Sequence, residues 1–352
     1  MKMKMSNLPK PNPNERPTLK QGNSQEWTVF LQDRLNGCGY GPLDLDGIFG
    51  SNTLEEVKKF QLDNSLTVNG IVDATTWTAL DKHKKLFGWQ SEWLSGSLHL
   101  TGIGGVDTLR GVQPSLIPPV HKYMGTQPRF WGRYFQGNTG DGEYLHANEN
   151  NPLHDAGIRV LPISRQTNKV GGTKQDGMEL GTSHAKDVLA TFGEDYLVSQ
   201  GDSFYIFLDV EGVDDQPSLS KEFYLGWSNA VANASHKVKF LPCVYINAKG
   251  DPTSQRNLSA AVKEGAQCHG LWVASYDKQS QISPWNREKV KPVIAVPCKV
   301  LLHQYIGDID PETGKVTKDP KKQVYDFNQI NPFLDDPELI LQRLILPPTV
   351  KH

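Results

Sequence analysis

The stretch Ile206-Phe207-Leu208-Asp209-Val210-Glu211-Gly212 is an apolar run that ends in two carboxylates one residue apart. Residues i and i+2 of a strand share a face and lie about 6.5–7 Å apart along it. Asp209 and Glu211 are therefore expected to project together from a strand end. Taken alone, the pair reads equally as a catalytic couple or as a hydrated strand terminus.

Working outward, apolar β-rich runs recur at Ile103–Val106, Phe130–Phe135 and Ile158–Ile163 before the opening stretch, which itself belongs to Phe204–Val210. They continue at Phe240–Ile246, Leu271–Ser275, Val300–Tyr305 and Val324–Phe327. Eight runs in roughly 245 residues is the tally of an eight-stranded α/β barrel. Helical patterns fall at Met178–Phe192, Ser220–Ala234 and Ser254–Gly265, so the early connections are helical. Later ones are not. Tyr276 to Val293 has room for little more than a turn, and the DIDPETGKVTKDP segment from Asp308 reads as a hairpin loop. The expected fold is α/β, an incomplete TIM-like barrel of about five β/α units plus three strands.

Composition bounds the function. The 352 residues suit two domains, one of them large, and 37% hydrophobic residues with 8 Trp can fill a core. A formal charge of −2 and no dense Lys/Arg run leave no electrostatic case for nucleic acid. The Pro/Asn-rich start, MKMKMSNLPKPNPNER, lacks the apolar stretch of a secretory signal, and no later segment is long and apolar enough to span a membrane. Cys38, Cys243, Cys268 and Cys298 form no CxxC pair, so reduced thiols without a structural disulfide are expected. The histidines show no metal-ligand spacing, and His146 and His154 are expected to be solvated in an Asn-rich loop. Neither a metal nor another cofactor is expected.

Ahead of the barrel the chain nearly repeats itself. LDLDGIFGSNTLEEV (43–57) and LTVNGIVDATTWTAL (66–80) align at an offset of 23 residues, which implies a small pseudo-symmetric domain. Asp46-Gly47 and Asn69-Gly70 are turn signals, each followed by a Ser or Thr near a helix start. A unit of three helices is expected from near Pro17 to Leu80.

This stretch resembles the type 1 peptidoglycan-binding domain. The resemblance rests on Leu31-Gln32, Gly39-Tyr40, Asp46-Gly47-Ile48-Phe49-Gly50 with Thr53, Phe60-Gln61, Gly70-Ile71 and Thr76-Trp77. It implies binding to peptidoglycan. Phe60 and Trp77 are assigned to the core, and wall contact to the turn of Asp46, Gly47, Phe49 and Gly50.

In an α/β barrel the active site gathers at the C-terminal ends of the strands. Those ends carry Asp107, Arg133 and Tyr134, Asp209 and Glu211, Tyr245 and Asn247, Trp272 and Tyr276, Gln304 and Tyr305, and Asp326 and Asn328. Four converging carboxylates with tyrosines suit glycoside hydrolysis, in which one protonated carboxyl donates to the leaving oxygen. Crowding keeps one of them protonated, because like charges and desolvation raise a carboxyl pKa.

The ordered set resembles glycoside hydrolase family 25, the Chalaropsis-type lysozymes, and more closely the glycoside-hydrolase-like domain of unknown function 1906. It consists of Gly105-Val106-Asp107-Thr108, Gly132-Arg133-Tyr134, Asp209-Val210-Glu211, Leu271-Trp272-Val273-Ala274-Ser275-Tyr276, His303-Gln304-Tyr305 and Asp326-Phe327-Asn328. The resemblance implies a muramidase cutting the β-1,4 bond after N-acetylmuramic acid. Glu211 would be the general acid, Asp209 would orient the N-acetyl group or the intermediate, and Asp107 and Asp326 would hold the ring and tune Glu211. Departures are His303, where the lysozymes usually place Trp, and a polar insertion from Gln136 to Ala156.

The domain layout expected is a disordered leader (1–16), the binding domain (17–80), a Trp-bearing linker (81–99) and the barrel (100–348). A monomer acting on peptidoglycan outside the membrane is expected, reached by phage-type release or specialised export. Two other readings stay open: a non-catalytic wall-binding or scaffold protein that keeps a sugar cleft, and a peptidoglycan amidase or peptidase, against which the missing metal-ligand spacing counts.

Overall fold

The computed structural model describes residues 15–24, 26–38, 40, 43, 46–82, 103–135, 143–165, 167–211, 216–276, 285, 289–319, 322, 324–334 and 336–350. The expected leader up to residue 14, the linker from 83 to 99 and residues 136–142 of the insertion lie outside them. Two compact units part between Gly102 and Ile103.

Helices α1 (Glu26–Gly37), α2 (Ser51–Asp63) and α3 (Ala74–Lys82) build the first unit. Two buried glutamines give the 23-residue repeat its physical cause. Gln32 Nε2 donates to Asp46 Oδ1 (2.8 Å), Ile48 O (3.1 Å) and Thr53 Oγ1 (3.3 Å), and Gln32 Oε1 accepts from Gly47 N (3.0 Å). Gln61 makes the same set one repeat later, to Asn69 Oδ1 (3.2 Å), Ile71 O (2.9 Å) and Thr76 Oγ1 (3.3 Å), with Gly70 N donating to its Oε1 (2.8 Å). Each glutamine thus clamps the turn that leads into the next helix. Gly47 and Gly70 stand in those turns at φ 76° and 71°, a backbone region that strains residues with a Cβ. Phe49, expected in the exposed turn, is instead in the core with Phe30, Val57, Phe60 and Trp77. Its neighbour Ile48 points outward.

The second unit is a closed barrel. Its strands are β1 (Gly104–Asp107), β2 (Phe130–Tyr134), β3 (Arg159–Ser164), β4 (Ser203–Val210), β5 (Lys239–Asn247), β6 (Leu271–Ala274), β7 (Val300–Asp310), β8 (Lys315–Val316) and β9 (Tyr325–Ile330). β1 to β7 pair in parallel in chain order, and β9 closes the ring antiparallel to both β7 and β1. β8 only folds back on the far end of β7, the hairpin expected from DIDPETGKVTKDP.

Helices follow the first five strands: α4 (Ile117–Met124), α5 (His146–Asp155), α6 (Lys174–Phe192) with α7 (Glu194–Gln200), α8 (Lys221–Ala232) and α9 (Pro252–Lys263). A short α10 (Pro337–Gln342) follows β9. β6, β7 and β9 are the three strands expected without a full β/α unit. Caps set the starts of several helices: Thr173 and Asp176 form a capping box on α6, Ser220 caps α8, and Asp251 caps α9. Among the described residues no helix is long and apolar enough to cross a membrane.

One expectation is corrected here. His146 and His154, read as part of a loop, lie in α5, whose three Asn and internal Pro152 give it little helical propensity. Tertiary partners hold it. Glu149 and Asn150 are buried, Asn150 Oδ1 accepts from Tyr144 OH (2.6 Å), and His154 Nδ1 is 2.7 Å from Pro347 O.

Candidate active site

Strand alternation brings Asp209 and Glu211 to one face. On β4, Tyr205 and Phe207 belong to the apolar barrel interior with Phe130, Leu161, Leu241, Leu302 and Ile330. Asp209 and Glu211 continue the same face upward and line a cleft at the C-terminal end. Ile206, Leu208 and Val210 face the other way, and all three are buried. The lower barrel is thus apolar and its top layer polar, so the interior closes beneath the carboxylates and opens above them.

Asp107, Asp209, Glu211 and Asp326 all line this one cleft, from β1, β4 and β9. Asp107 and Asp326 are direct cross-strand partners. Gly132 makes room for them: a Cβ there would lie 2.5 Å from Asp107 Cβ and 3.0 Å from Ile163 Cδ1. The glycine of Gly-Arg-Tyr is therefore required by the carboxylate on the neighbouring strand.

Two amides hold Asp107. Gln304 Nε2 and Asn328 Nδ2 both donate to its Oδ1, at 2.9 and 2.7 Å. The far ends of those amides are also fixed. Gln304 Oε1 accepts from Tyr245 OH (2.7 Å) and Tyr276 OH (2.6 Å), and Asn328 Oδ1 accepts from Trp272 Nε1 (2.9 Å). An amide whose oxygen is already taken by a donor can only present its N–H to the next partner. The network therefore aims two donors at Asp107.

Burial raises the Asp107 pKa to about 7, against the pull of the Asn328 and Gln304 donors, and the Asp209 and Glu211 charges push it the same way. Burial followed by the Glu211 charge raises Asp209 well above the usual carboxylate range. Burial followed by the Asp107 charge does the same for Asp326, while a bond from Asp308 N (2.7 Å) works against it. Asp209 Oδ2 is buried with no hydrogen-bond partner among the described residues. Burial and like charge thus favour the protonated forms of Asp107, Asp209 and Asp326.

Tyr134, Tyr245, Asn247 and Tyr276 line the cleft as expected, Tyr276 half exposed at the mouth. Trp272 also lines it but is buried, and its ring packs against Tyr245 (4.7 Å) and Phe207 (5.9 Å). Asn328 is fully buried behind Asp107 and acts through it.

Arg133 and Tyr305 are corrections. Each neighbours a cleft residue on its strand, Tyr134 and Gln304, so alternation turns it outward. Arg133 is fully buried, forking onto Glu149 of α5 (2.6 and 3.0 Å) and onto the carbonyls of Thr108 and Leu109 (both 2.8 Å). It ties β1, β2 and α5 together. Tyr305 is buried with the His303 ring 6.0 Å away.

Two residues escaped the sequence reading, Ile163, which lines the cleft, and Arg165. Arg165 follows β3, the strand whose end was passed over, and its guanidinium lies 5.2 Å from the Tyr134 ring centroid. Its charge lowers the Asp209 pKa in opposition to burial. The signal was available, since Ser164-Arg165 directly follows the run Ile158–Ile163.

Residues 25–80 match the family model described as "Putative peptidoglycan binding domain". An uncharacterized protein from the bpoA1 3′ region of Kitasatospora aureofaciens is 42% identical over 66 residues, which is 18% of this chain and 56% of that protein. The chain thus spans about half the length of this curated relative. Among solved structures, an uncharacterized protein of B. stearothermophilus matches over 69% of this chain and 100% of its own at 20% identity, with a TM-score of 0.50. The catalytic domain of endolysin ply40, from bacteriophage P40 of Listeria monocytogenes, aligns over 69% of this chain and 98% of its own at 15% identity, with a TM-score of 0.41. At 20% identity the likeness to the B. stearothermophilus protein is one of fold.

Proposed function

We propose that this chain is a peptidoglycan hydrolase whose barrel cleaves the glycan strand as a muramidase while the N-terminal unit holds the wall. The observation that carries the reading is the convergence of Asp107, Asp209, Glu211 and Asp326 on one cleft at the C-terminal end of the barrel, in a chain that also matches a peptidoglycan-binding domain. Glu211, the most exposed of the strand β4 acids, stands at the mouth and donates a proton to the glycosidic oxygen as the bond breaks. Asp209, deeper and with an unpartnered oxygen, faces the reacting sugar and orients its N-acetyl group or the intermediate. Asp107, held by Gln304 and Asn328, and Asp326 beside it set the field in which Glu211 works. Tyr134, Tyr245 and Tyr276 offer ring faces with polar tips, which suit a sugar.

The N-terminal unit raises the local concentration of wall polymer for the barrel. Wall contact falls to Asp46, the outward Ile48 and Gly50 of the first turn, since Gly47 and Phe49 serve the fold. Work on this substrate places the protein at the cell envelope, outside the cytoplasm.

The test is incubation of the full chain with purified peptidoglycan sacculi, with new reducing ends and new free amino groups measured in parallel. Reducing ends without amino groups are expected. Amino groups without reducing ends would replace the reading by an amidase or peptidase, and binding with neither would leave a wall-binding protein.

A further inference from the structure

Cys268 and Cys298 lie at the opposite end of the barrel from the cleft. Cys268 is three residues before Leu271 on β6, and Cys298 two before Val300 on β7. Leu271 and Val300 are register partners, and Leu271 N donates to Lys299 O at 2.8 Å. The two sulfurs are 2.9 Å apart, and Cys298 Sγ is 3.1 Å from Cys268 O. Both residues are partly exposed, whereas Cys38 and Cys243 are buried. We propose that Cys268 and Cys298 are a redox pair that closes into a disulfide across the β6–β7 seam.

The surroundings favour attack by Cys268. The hydrogen bond between the two thiols holds the Cys268 thiol below its ordinary range, with the Tyr224 phenol acting in the same direction. Cys298 is raised, first by its bond to Cys268 and then by burial. A thiolate beside a protonated partner is the arrangement from which thiol–disulfide exchange starts. Cys268 thiolate attacks one sulfur of a small-molecule disulfide such as oxidised glutathione, forming a mixed disulfide and expelling one glutathione thiolate. Cys298 then gives its proton to solvent and attacks Cys268 Sγ, forming the internal bond and expelling the second thiolate. The protein loses two protons and two electrons, and the oxidised glutathione gains the electrons.

The seam is where such a bond has most to fasten. β6 and β7 are joined without a helix among the described residues, and their register shifts between Leu271 and Trp272. These strands carry Trp272 and Gln304, which set the Asp107 network. A crosslink at their base fixes their relative register without touching the cleft.

The test uses the full chain equilibrated with oxidised glutathione, acid-quenched, alkylated with iodoacetamide in denaturant and mapped by mass spectrometry. The expected result is a peptide pair linking Cys268 to Cys298, alkylation of Cys38 and Cys243 only, and four alkylated cysteines after dithiothreitol. The Cys298→Ser variant should trap Cys268 as a stable mixed disulfide with glutathione. Closing the bond should raise the melting temperature by about 4–8 °C relative to the reduced protein. Four alkylated cysteines after glutathione treatment of the wild type would overturn the proposal, as would linkage of Cys268 to any other cysteine.

Discussion

Trp272 donates its indole N–H to Asn328 Oδ1 at 2.9 Å, and that bond decides which end of the Asn328 amide faces Asp107. Replacing Trp272 by Phe keeps an aromatic ring against Tyr245 and Phe207 but removes the donor. The Asn328 oxygen then loses that donor, and the amide is held by its donations to Asp107 Oδ1 (2.7 Å) and Asp326 O (3.1 Å). Activity on peptidoglycan should fall about ten- to a hundredfold, the equivalent of one or two hydrogen bonds in the transition state. The circular dichroism spectrum should be unchanged. Unchanged kinetics would separate Asn328 from the mechanism.

Asp107 carries a pH signature. Its carboxyl titrates near 7 when folded and near 3.9 in an unfolded chain. Between those values the unfolded chain has released a proton that the folded one keeps, so this group's contribution to stability declines as pH rises from about 4 to about 7. Asp107→Asn keeps an oxygen for Gln304 and Asn328 and abolishes the ionisation. Its melting temperature should match the wild type near pH 4 and exceed it near pH 8, by an amount on the order of 1–4 kcal/mol in stability. A difference independent of pH, measured by thermal unfolding across that range, would contradict the assignment.

Gly132→Ala tests the packing of the site directly. Its new methyl would lie 2.5 Å from Asp107 Cβ, a distance that forces the carboxylate or the strand to move. A loss of about 1–3 kcal/mol in stability from overpacking and a larger loss of activity than the unfolding explains are expected, read from denaturation and from residual turnover well below the melting point.

Arg133 and Tyr305 separate the fold from the cleft. Arg133→Met leaves Glu149 charged and buried without its partner, at a cost of about 3–5 kcal/mol. Arg133→Lys should recover only part of this, because an ammonium cannot fork onto both carboxylate oxygens. Tyr305→Phe should leave activity within about twofold of wild type, since the side chain points away from the sugar. A large rise in KM for Tyr305→Phe, with stability unchanged, would return that residue to the cleft.

These residues also mark where the sequence was legible. Eight apolar runs became the eight barrel strands because burial on both faces of a parallel sheet writes continuous hydrophobic runs. Among the described residues no helix joins β6 to β7 or β7 to β9, in line with the reading of those connections. The four cleft carboxylates were legible because each interrupts or ends an apolar run. Facing was the weaker part: naming both Arg133 and Tyr134, and both Gln304 and Tyr305, put adjacent strand residues on one face, which a period of two forbids. Helix α5 was not legible, because Glu149 and Asn150 hold it through partners distant in the chain while its own Asn and Pro residues argue against a helix. Arg165 was missed for a simpler reason, since it stands at the end of the one early strand whose terminus carried no acid or aromatic. In the small unit the repeat was plain, but its cause in Gln32 and Gln61 was visible only once the turns were seen closing on both amides.

The central claim is that Glu211 in this cleft breaks the glycan backbone. The most direct measurement digests purified peptidoglycan with the wild type and with Glu211→Gln, reduces the products with borohydride and identifies which sugar has become an alcohol. The account predicts muramitol ends from the wild type and a rate at least about a thousandfold lower for Glu211→Gln, with wall binding retained by both. Glucosaminitol ends, or equal rates from the two proteins, would contradict it.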